Sequence, residues 1–433
     1  MKIKLISGKK RWHKDIEKLP PFLNIEFTFK TECLKDYSKK LESEVSSLSL
    51  LKKLKPCAQI AITAGSRGIS HYPEILKEIG NILKEKGFSP FIVPAMGSHG
   101  GGTYRGRLEI LKENGITEKR CGMKIRGGKN YTPLGKTSSG TEVFIDKEAL
   151  KADAIIVVNR IKAHTDFEST HESGICKMLV VGLGGPPGAE GIHRLGIKGL
   201  KKELAPAAKK IISSGKLFAG IGIIENPKCE ISEIKALEGN KIITEEKKLL
   251  EFSKKQFPPF PVNNLDLLVV KEMGKEISGT GMDTHIIGRK TIRFENDFEN
   301  PKVTRIAALD LTRESKGNCA GLGLADIITS RFFRKIDFDS FYFNTLTATF
   351  IERAKIPYIA DSDKEAISVG IKSAWVENPI KAKIAIIKDT LHIDKIALSK
   401  EAYLSIKERK DIKRLGNFYE LQFDRKGNLI NSI

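Results

Sequence analysis

Three histidines, a lysine and an arginine stand in or beside short glycine-rich stretches of this 433-residue chain, most of them where an apolar run ends. The stretches are Thr63-Ala64-Gly65-Ser66-Arg67-Gly68, Gly97-Ser98-His99-Gly100-Gly101, Ala163-His164-Thr165-Asp166, and the segment from Lys177 to His193. An arginine in a turn after a strand suits two-pronged capture of a carboxylate or phosphate, although a solvated surface arginine fits the same pattern. His99 is surrounded by glycines, which bury little and let backbone approach a ligand, so acid/base work is the favoured reading. Lys177 is embedded in Ser173-Gly174-Ile175-Cys176-Lys177-Met178-Leu179-Val180. A lysine drawn out of water loses its proton more readily and becomes nucleophilic; the plainer alternative is a lysine snorkelling at a helix end. His193 sits in Gly188-Ala189-Glu190-Gly191-Ile192-His193-Arg194, where neutral imidazole could ligate a metal. His171, seven residues after His164, reads as a structural histidine.

The elements that must position these groups alternate between strand and helix. Ala58–Ile62, Phe91–Val93 and Ala154–Val158 are short apolar runs, and the loops after them carry Arg67, His99 and His164. Between the first two, Pro73 opens a helix with Ile75, Leu76, Ile79, Ile82 and Leu83 on one face, ended by Lys86-Gly87. Further strands are expected at 217–224, 265–270, 305–311 and 383–387, and a polar hairpin-like insertion at about 121–147. The pattern predicts an α/β chain with mainly parallel sheets, whose ligands bind outside the carboxyl ends of the strands. The length points to two domains. The proline-rich stretch around Phe257-Pro258-Pro259-Phe260-Pro261 marks the boundary, giving residues 1–260 as an N-terminal α/β domain with the motifs and 261–433 as a C-terminal α/β domain closing a cleft that holds the active site.

Two apparent nucleotide motifs fail on inspection. Gly182-x-Gly184 followed by Gly188 has the wrong spacing for a dinucleotide fingerprint, and Pro186-Pro187 removes two amide donors. Gly135-Lys136-Thr137 lacks both the first glycine of a phosphate loop, Asn130 standing there, and a preceding apolar strand. The net charge of +21 is carried by lysines in mixed Lys/Glu stretches without an arginine-rich, aromatic-interleaved block, so a solvated surface is favoured over nucleic-acid binding. The six cysteines form no Cys-x-x-Cys pair and read as reduced, mostly buried thiols. The basic segment Met1 to Lys14 lacks the apolar core of a signal peptide, and no apolar run reaches the ~20 residues of a membrane span. A cytoplasmic protein is expected.

Together the Ser66-Arg67 loop, the Gly97-Ser98-His99 loop, His164, Ser173-Gly174-x-x-Lys177 and His193 resemble the nickel-dependent lactate racemase family. The resemblance covers roughly residues 57–200. It implies a nickel-pincer nucleotide, a modified pyridinium mononucleotide, tethered through Lys177, with nickel ligation completed by His193 sixteen residues later. It implies His99 and His164 as an acid/base pair, Arg67 as a carboxylate anchor, and Ser66, Gly97 and Ser98 beside the cofactor. It further implies cofactor-synthesis enzymes as partners, and a small 2-hydroxy acid as substrate, racemised by reversible hydride transfer. Two features depart from the family: the first loop lacks its acidic residue and Arg-Pro ending, and the second reads Ser98-His99-Gly100-Gly101 in place of Thr-His-Arg-Pro. The substrate is therefore left open. Lys275, in Lys275-Glu276-Ile277-Ser278-Gly279-Thr280-Gly281, is a candidate for reaching it from the second domain. The competing classes are a non-catalytic binder of anionic ligands or nucleic acid, and a 2-hydroxy-acid oxidoreductase that does not return the hydride.

Overall fold

The computed structural model describes residues 15–29, 31–257 and 259–433. The segment Met1 to Lys14 and its leader reading lie outside them. The chain divides into two compact units, residues 30–257 and residues 1–29 with 258–433. The strands are β1 (Phe22–Phe27), β2 (Gln59–Ala64), β3 (Ser89–Pro94), β4 (Tyr131–Lys136) and β5 (Glu142–Asp146). They continue with β6 (Ala154–Arg160), β7 (Leu217–Glu225), β8 (Ile231–Glu238), β9 (Asn264–Met273) and β10 (Lys302–Leu311). The last are β11 (Ile327–Thr329), β12 (Tyr358–Ala360), β13 (Ile384–Ile387), β14 (Lys395–Ser399) and β15 (Ile412–Tyr419).

The unit of residues 30–257 is built on a five-stranded sheet in the order β3-β2-β6-β7-β8. β3, β2, β6 and β7 are parallel, and β8 runs antiparallel to β7. Strands β2, β3, β6 and β7 are buried almost throughout, as parallel strands covered on both faces must be. The helix Tyr72–Glu85 follows β2, has proline in its first turn, and buries Ile75, Leu76, Ile79 and Leu83 in the core formed with β2, β6 and β7. Each such side chain contributes roughly 1.5–3 kcal/mol, so a charge at Ile79 would break this face. The helix stops at Lys86, followed by Gly87 in the left-handed region. β4 and β5 form the expected hairpin, which also absorbs Gly135-Lys136.

The other unit holds an eight-stranded sheet in the order β12-β11-β10-β9-β13-β14-β1-β15. Its first five strands are parallel and the rest antiparallel. This corrects the expected 1–260 domain. β1 pairs with β14 and β15, so Phe22–Phe27 belongs with the C-terminal sheet, and the break on the other side falls at Phe257. An apolar strand pattern reveals a strand but not its partner. The cysteines also differ from expectation: Cys121, Cys176 and Cys319 are buried, but Cys33, Cys57 and Cys229 are exposed, and all six are free thiols. No helix among the described residues is long and apolar enough to cross a membrane.

Candidate active site

Within the five-stranded sheet the chain enters at β2, crosses to β3 on one side, then returns past β2 to β6 and on to β7. The order reverses between β2 and β6, and loops leaving those two strands part in opposite directions. Such a switch point opens a crevice outside the carboxyl ends of the strands. The parallel ladder between β2 and β6 runs from Ile60 to Ile62. Beyond it side chains take over: Val158 N–H donates to Thr63 Oγ1 at 3.0 Å, and Tyr72 Oη accepts from Gly65 N–H at 2.9 Å. Asn114 Nδ2 holds the next turn by donating to Ser66 O at 3.1 Å. Ser66 is half-buried and Arg67 is exposed. Although much of the residue is exposed, crowding around its guanidinium and then Arg160 draw it below the usual arginine range, with Asp166 opposing.

On the β6 side, the strand ends in Arg160, whose Nη1 donates to Oε2 of the buried Glu225. The same carboxylate accepts the Ser70 N–H at 2.5 Å, tying the base of the β2 loop to β7. The loop that follows is closed by a bridge between Lys162 and Ser173. Inside it, Glu172, whose side chain is fully buried, accepts the N–H groups of His164 at 2.7 Å and Ser169 at 2.9 Å, and Lys254 Nζ at 2.6 Å. The His164 ring lies against Phe167, centroids 4.5 Å apart, and its Nδ1 accepts the Asp166 N–H at 3.1 Å. His171 is buried, its Nε2–H donating to Ile243 O at 2.8 Å and its Nδ1 meeting Thr170 Oγ1 at 3.1 Å. It is a satisfied structural histidine, as expected, and both histidines lie in loop rather than on one helix.

The stretch from Lys177 to His193 is helical apart from a turn at Gly184-Gly185, where Gly185 is left-handed. An α-helical turn, Ile175–Lys177, continues as a π-helix over Met178–Leu183 and then as the α-helix Gly185–His193. Its glycines and prolines, which resemble loop punctuation in the sequence, serve close packing and the start of the last helix. A π-helical turn inside a helix is frequent at functional sites. The buried Glu246 Oε2 accepts the Cys176 N–H at 2.8 Å and anchors the start of the stretch. From there Lys177 Nζ reaches 2.5 Å from His164 Nε2.

Electrostatics bind these groups into one cluster. Burial lowers the Lys177 ammonium to about 8, with Asp166 and Glu172 opposing and Arg67 adding to the effect. Burial and the neighbouring Lys177 push His164 well below the usual imidazole range. The same two causes bring His193, at the end of its helix, down to about 4. At neutral pH both rings are therefore uncharged, the state needed in a base or a metal ligand.

His99 lies in the turn after β3, the neighbouring parallel strand, and is exposed. Its loop is seated on the π-helix: Gly97 is in the left-handed region, its N–H donates to Gly182 O at 3.4 Å, and a Cβ there would meet Val181 at 3.2 Å. Ser98 O accepts the Gly102 N–H at 2.9 Å. A groove of about 770 Å³ beyond this loop is lined by Thr103, Tyr131, Phe144, Pro186 and neighbours. None of the histidines of the crevice lines it. Lys275 follows β9 in the other unit, where its N–H donates to Ser315 Oγ at 2.8 Å. Among the described residues no group of three or more His, Cys, Asp or Glu side chains converges to hold a metal ion.

Residues 35–195 match the lactate racemase N-terminal domain family. This stretch is similar to a lactate racemase N-terminal domain. The match spans every residue of the cluster from Arg67 to His193 and supports a lactate racemase-like protein. Two solved structures are similar at low identity. A protein from Thermotoga maritima is 14% identical, with 65% of this chain and 72% of that one covered and a TM-score of 0.48. The lactate racemase apoprotein from Thermoanaerobacterium thermosaccharolyticum is 15% identical, with 86% and 98% covered and a TM-score of 0.49. No curated protein matches the sequence.

Several residues that organise the cluster had no role in the sequence reading. Asp166 stands two residues from His164, a spacing that could have drawn attention to it. Glu225 gave no local signal because its partners Ser70 and Arg160 are distant in sequence, and Glu172 and Tyr72 gave none because they hold backbone N–H groups of nearby turns, which residue types do not reveal.

Proposed function

We propose that the protein racemises or epimerises a small 2-hydroxy acid with a nickel-pincer nucleotide tethered to Lys177 and ligated by His193. The observation that carries this is the meeting of Lys177 Nζ with His164 Nε2 at 2.5 Å, within electrostatic reach of His193, at the switch point of the sheet. The donor set suits the cofactor. Burial brings the Lys177 ammonium down to about 8, leaving a free-amine fraction for acylation at neutral pH, and His193 is an uncharged imidazole for a borderline metal. Lys177 would hold the nucleotide covalently and His193 would be the protein's ligand to its metal.

When bound, a nickel-pincer nucleotide supplies a reversible hydride acceptor. The chain supplies everything else. Arg67 pairs with the substrate carboxylate and fixes which face of the acid is presented. His164 or His99 takes the hydroxyl proton as the α-hydrogen departs, and gives a proton back on the return. Two bases on opposite sides serve the two enantiomers. Phe167 packs against the His164 ring and helps to orient it.

The test is to incubate single enantiomers of 2-hydroxy acids with the cofactor-loaded protein and follow loss of optical purity. Racemisation abolished in His164→Ala and strongly reduced in His99→Ala supports the assignment. Full activity in both variants, or net accumulation of a 2-keto acid, overturns it.

A further inference from the structure

We infer that His164 primes Lys177 as a free amine for covalent attachment, through a ring tautomer dictated by the backbone at Asp166. The inference rests on the reading of Lys177 as a tether and adds the device that makes the tether reactive.

The Asp166 N–H, which cannot reverse its role, donates to His164 Nδ1. A neutral imidazole has one ring proton, so Nδ1 as acceptor leaves that proton on Nε2. Nε2 is 2.5 Å from Lys177 Nζ. A proton on Nε2 facing an ammonium would set two donors head to head, so the contact is a hydrogen bond only if Nζ offers its lone pair. An imidazolium is disfavoured on two counts. It would turn Nδ1–H against the Asp166 N–H, and the ring is largely buried beside Lys177 and Lys162. The Asp166 carboxylate, 3.8 Å from Nδ1, pulls the other way, as do Asp166 and Glu172 on the lysine itself. Arg67 and burial oppose them at Nζ. The resulting arrangement is that of imidazole N–H donating to a primary amine.

Such an amine is suited to an activated acyl or thioacyl group. Its lone pair attacks the acyl carbon and the N–C bond forms. The bond to the leaving group then breaks with its electron pair, and one amine proton departs with that group. The product is an amide or thioamide whose nitrogen no longer accepts a hydrogen bond. Attachment thereby frees the His164 Nε2–H to donate to the substrate, so in this state His164 is the acid of the pair and His99 the base.

The test uses the chain alone, without nickel or nucleotide. Limiting N-hydroxysuccinimidyl acetate at pH 7.5, with acetylation sites read by peptide mass mapping, should modify Lys177 on the order of a hundredfold faster than exposed lysines such as Lys248. That expectation follows from burial bringing the Lys177 ammonium down to about 8 and so enlarging its free-amine fraction. His164→Gln, whose carboxamide oxygen stabilises an ammonium, should slow Lys177 roughly tenfold and leave Lys248 unchanged. If that variant does not fold, nitrogen NMR of histidine-labelled wild-type protein reads the tautomer directly: the proton is expected on Nε2 of His164. Lys177 no faster than Lys248, unchanged labelling in His164→Gln, or a proton on Nδ1 overturns the inference. Rapid labelling together with failure to capture nickel nucleotide would sink the racemase reading alone.

Discussion

Glu172 holds His164 by its backbone and not by its ring: Oε2 accepts the His164 N–H at 2.7 Å, while the same buried carboxylate takes Ser169 N–H and Lys254 Nζ. The ring nitrogens are thereby left to Asp166 and Lys177. Glu172→Ala should cost about 2–4 kcal/mol, since a buried acceptor with a charged partner is lost and the two N–H groups are orphaned. Chemical denaturation measures this, and limited acetylation of Lys177 in the same variant should lose its preference. A variant of unchanged stability would show that the loop has other supports.

Stability should rise with pH in two windows. Lys177 titrates at about 8 when folded, below the ~10.4 of an unfolded lysine, so between these values the unfolded chain binds the extra proton and stability increases. His193, at about 4 against ~6.5, gives a second rise between those values, and His164 acts in the same direction. Lys177→Met should remove the alkaline rise and raise stability at neutral pH by roughly 1–3 kcal/mol. Urea midpoints across pH decide the matter; parallel curves for wild type and variant would contradict the desolvated lysine.

Gly185 is where the β4–β5 hairpin meets the helix that ends in His193. It has φ near +61°, and a Cβ would lie 2.1 Å from the Tyr131 ring. Gly185→Ala should destabilise by about 2–3 kcal/mol, from overpacking plus left-handed strain. Adding Tyr131→Ala should relieve the clash but leave the backbone part, about 1 kcal/mol. Strictly additive single-variant effects in a double-mutant cycle would contradict this contact.

Arg67 is exposed and lies at the mouth of the β2 turn, so its removal should leave stability within about 0.5 kcal/mol. Under the proposed function Arg67→Ala should raise KM for a 2-hydroxy acid by roughly ten- to a hundredfold, the worth of a charge-assisted carboxylate pair. Kinetics with the acid and with its uncharged ester separate this from a general loss. Equal effects on both would remove Arg67 from the carboxylate.

Much of the cluster was legible because β2, β3 and β6 are continuous apolar runs, each followed by a loop with one conspicuous polar residue, and parallel strands bring such loops to one edge. What the pattern could not convey was pairing. β1 has an ordinary strand pattern yet joins a sheet formed hundreds of residues later. β15 is largely exposed and β11 and β12 are three residues each, too weak a signal to stand out. The helical character of 175–193 was masked by Gly182, Gly184, Pro186 and Pro187, where local propensity yields to packing: the Gly184 and Gly188 backbones lie directly against Val180 O. Glu172 was invisible for a simpler reason. An acidic residue in a polar stretch looks solvated until Lys254 and the loop close over it.

The central claim is that Lys177 and His193 hold a nickel nucleotide, and intact mass with nickel content after co-expression with cofactor-synthesis enzymes tests it most directly. A mass adduct on Lys177 with about one nickel per chain, absent in Lys177→Arg and nickel-poor in His193→Ala, is the predicted result. Unmodified, metal-free protein under conditions that load an authentic lactate racemase would contradict it.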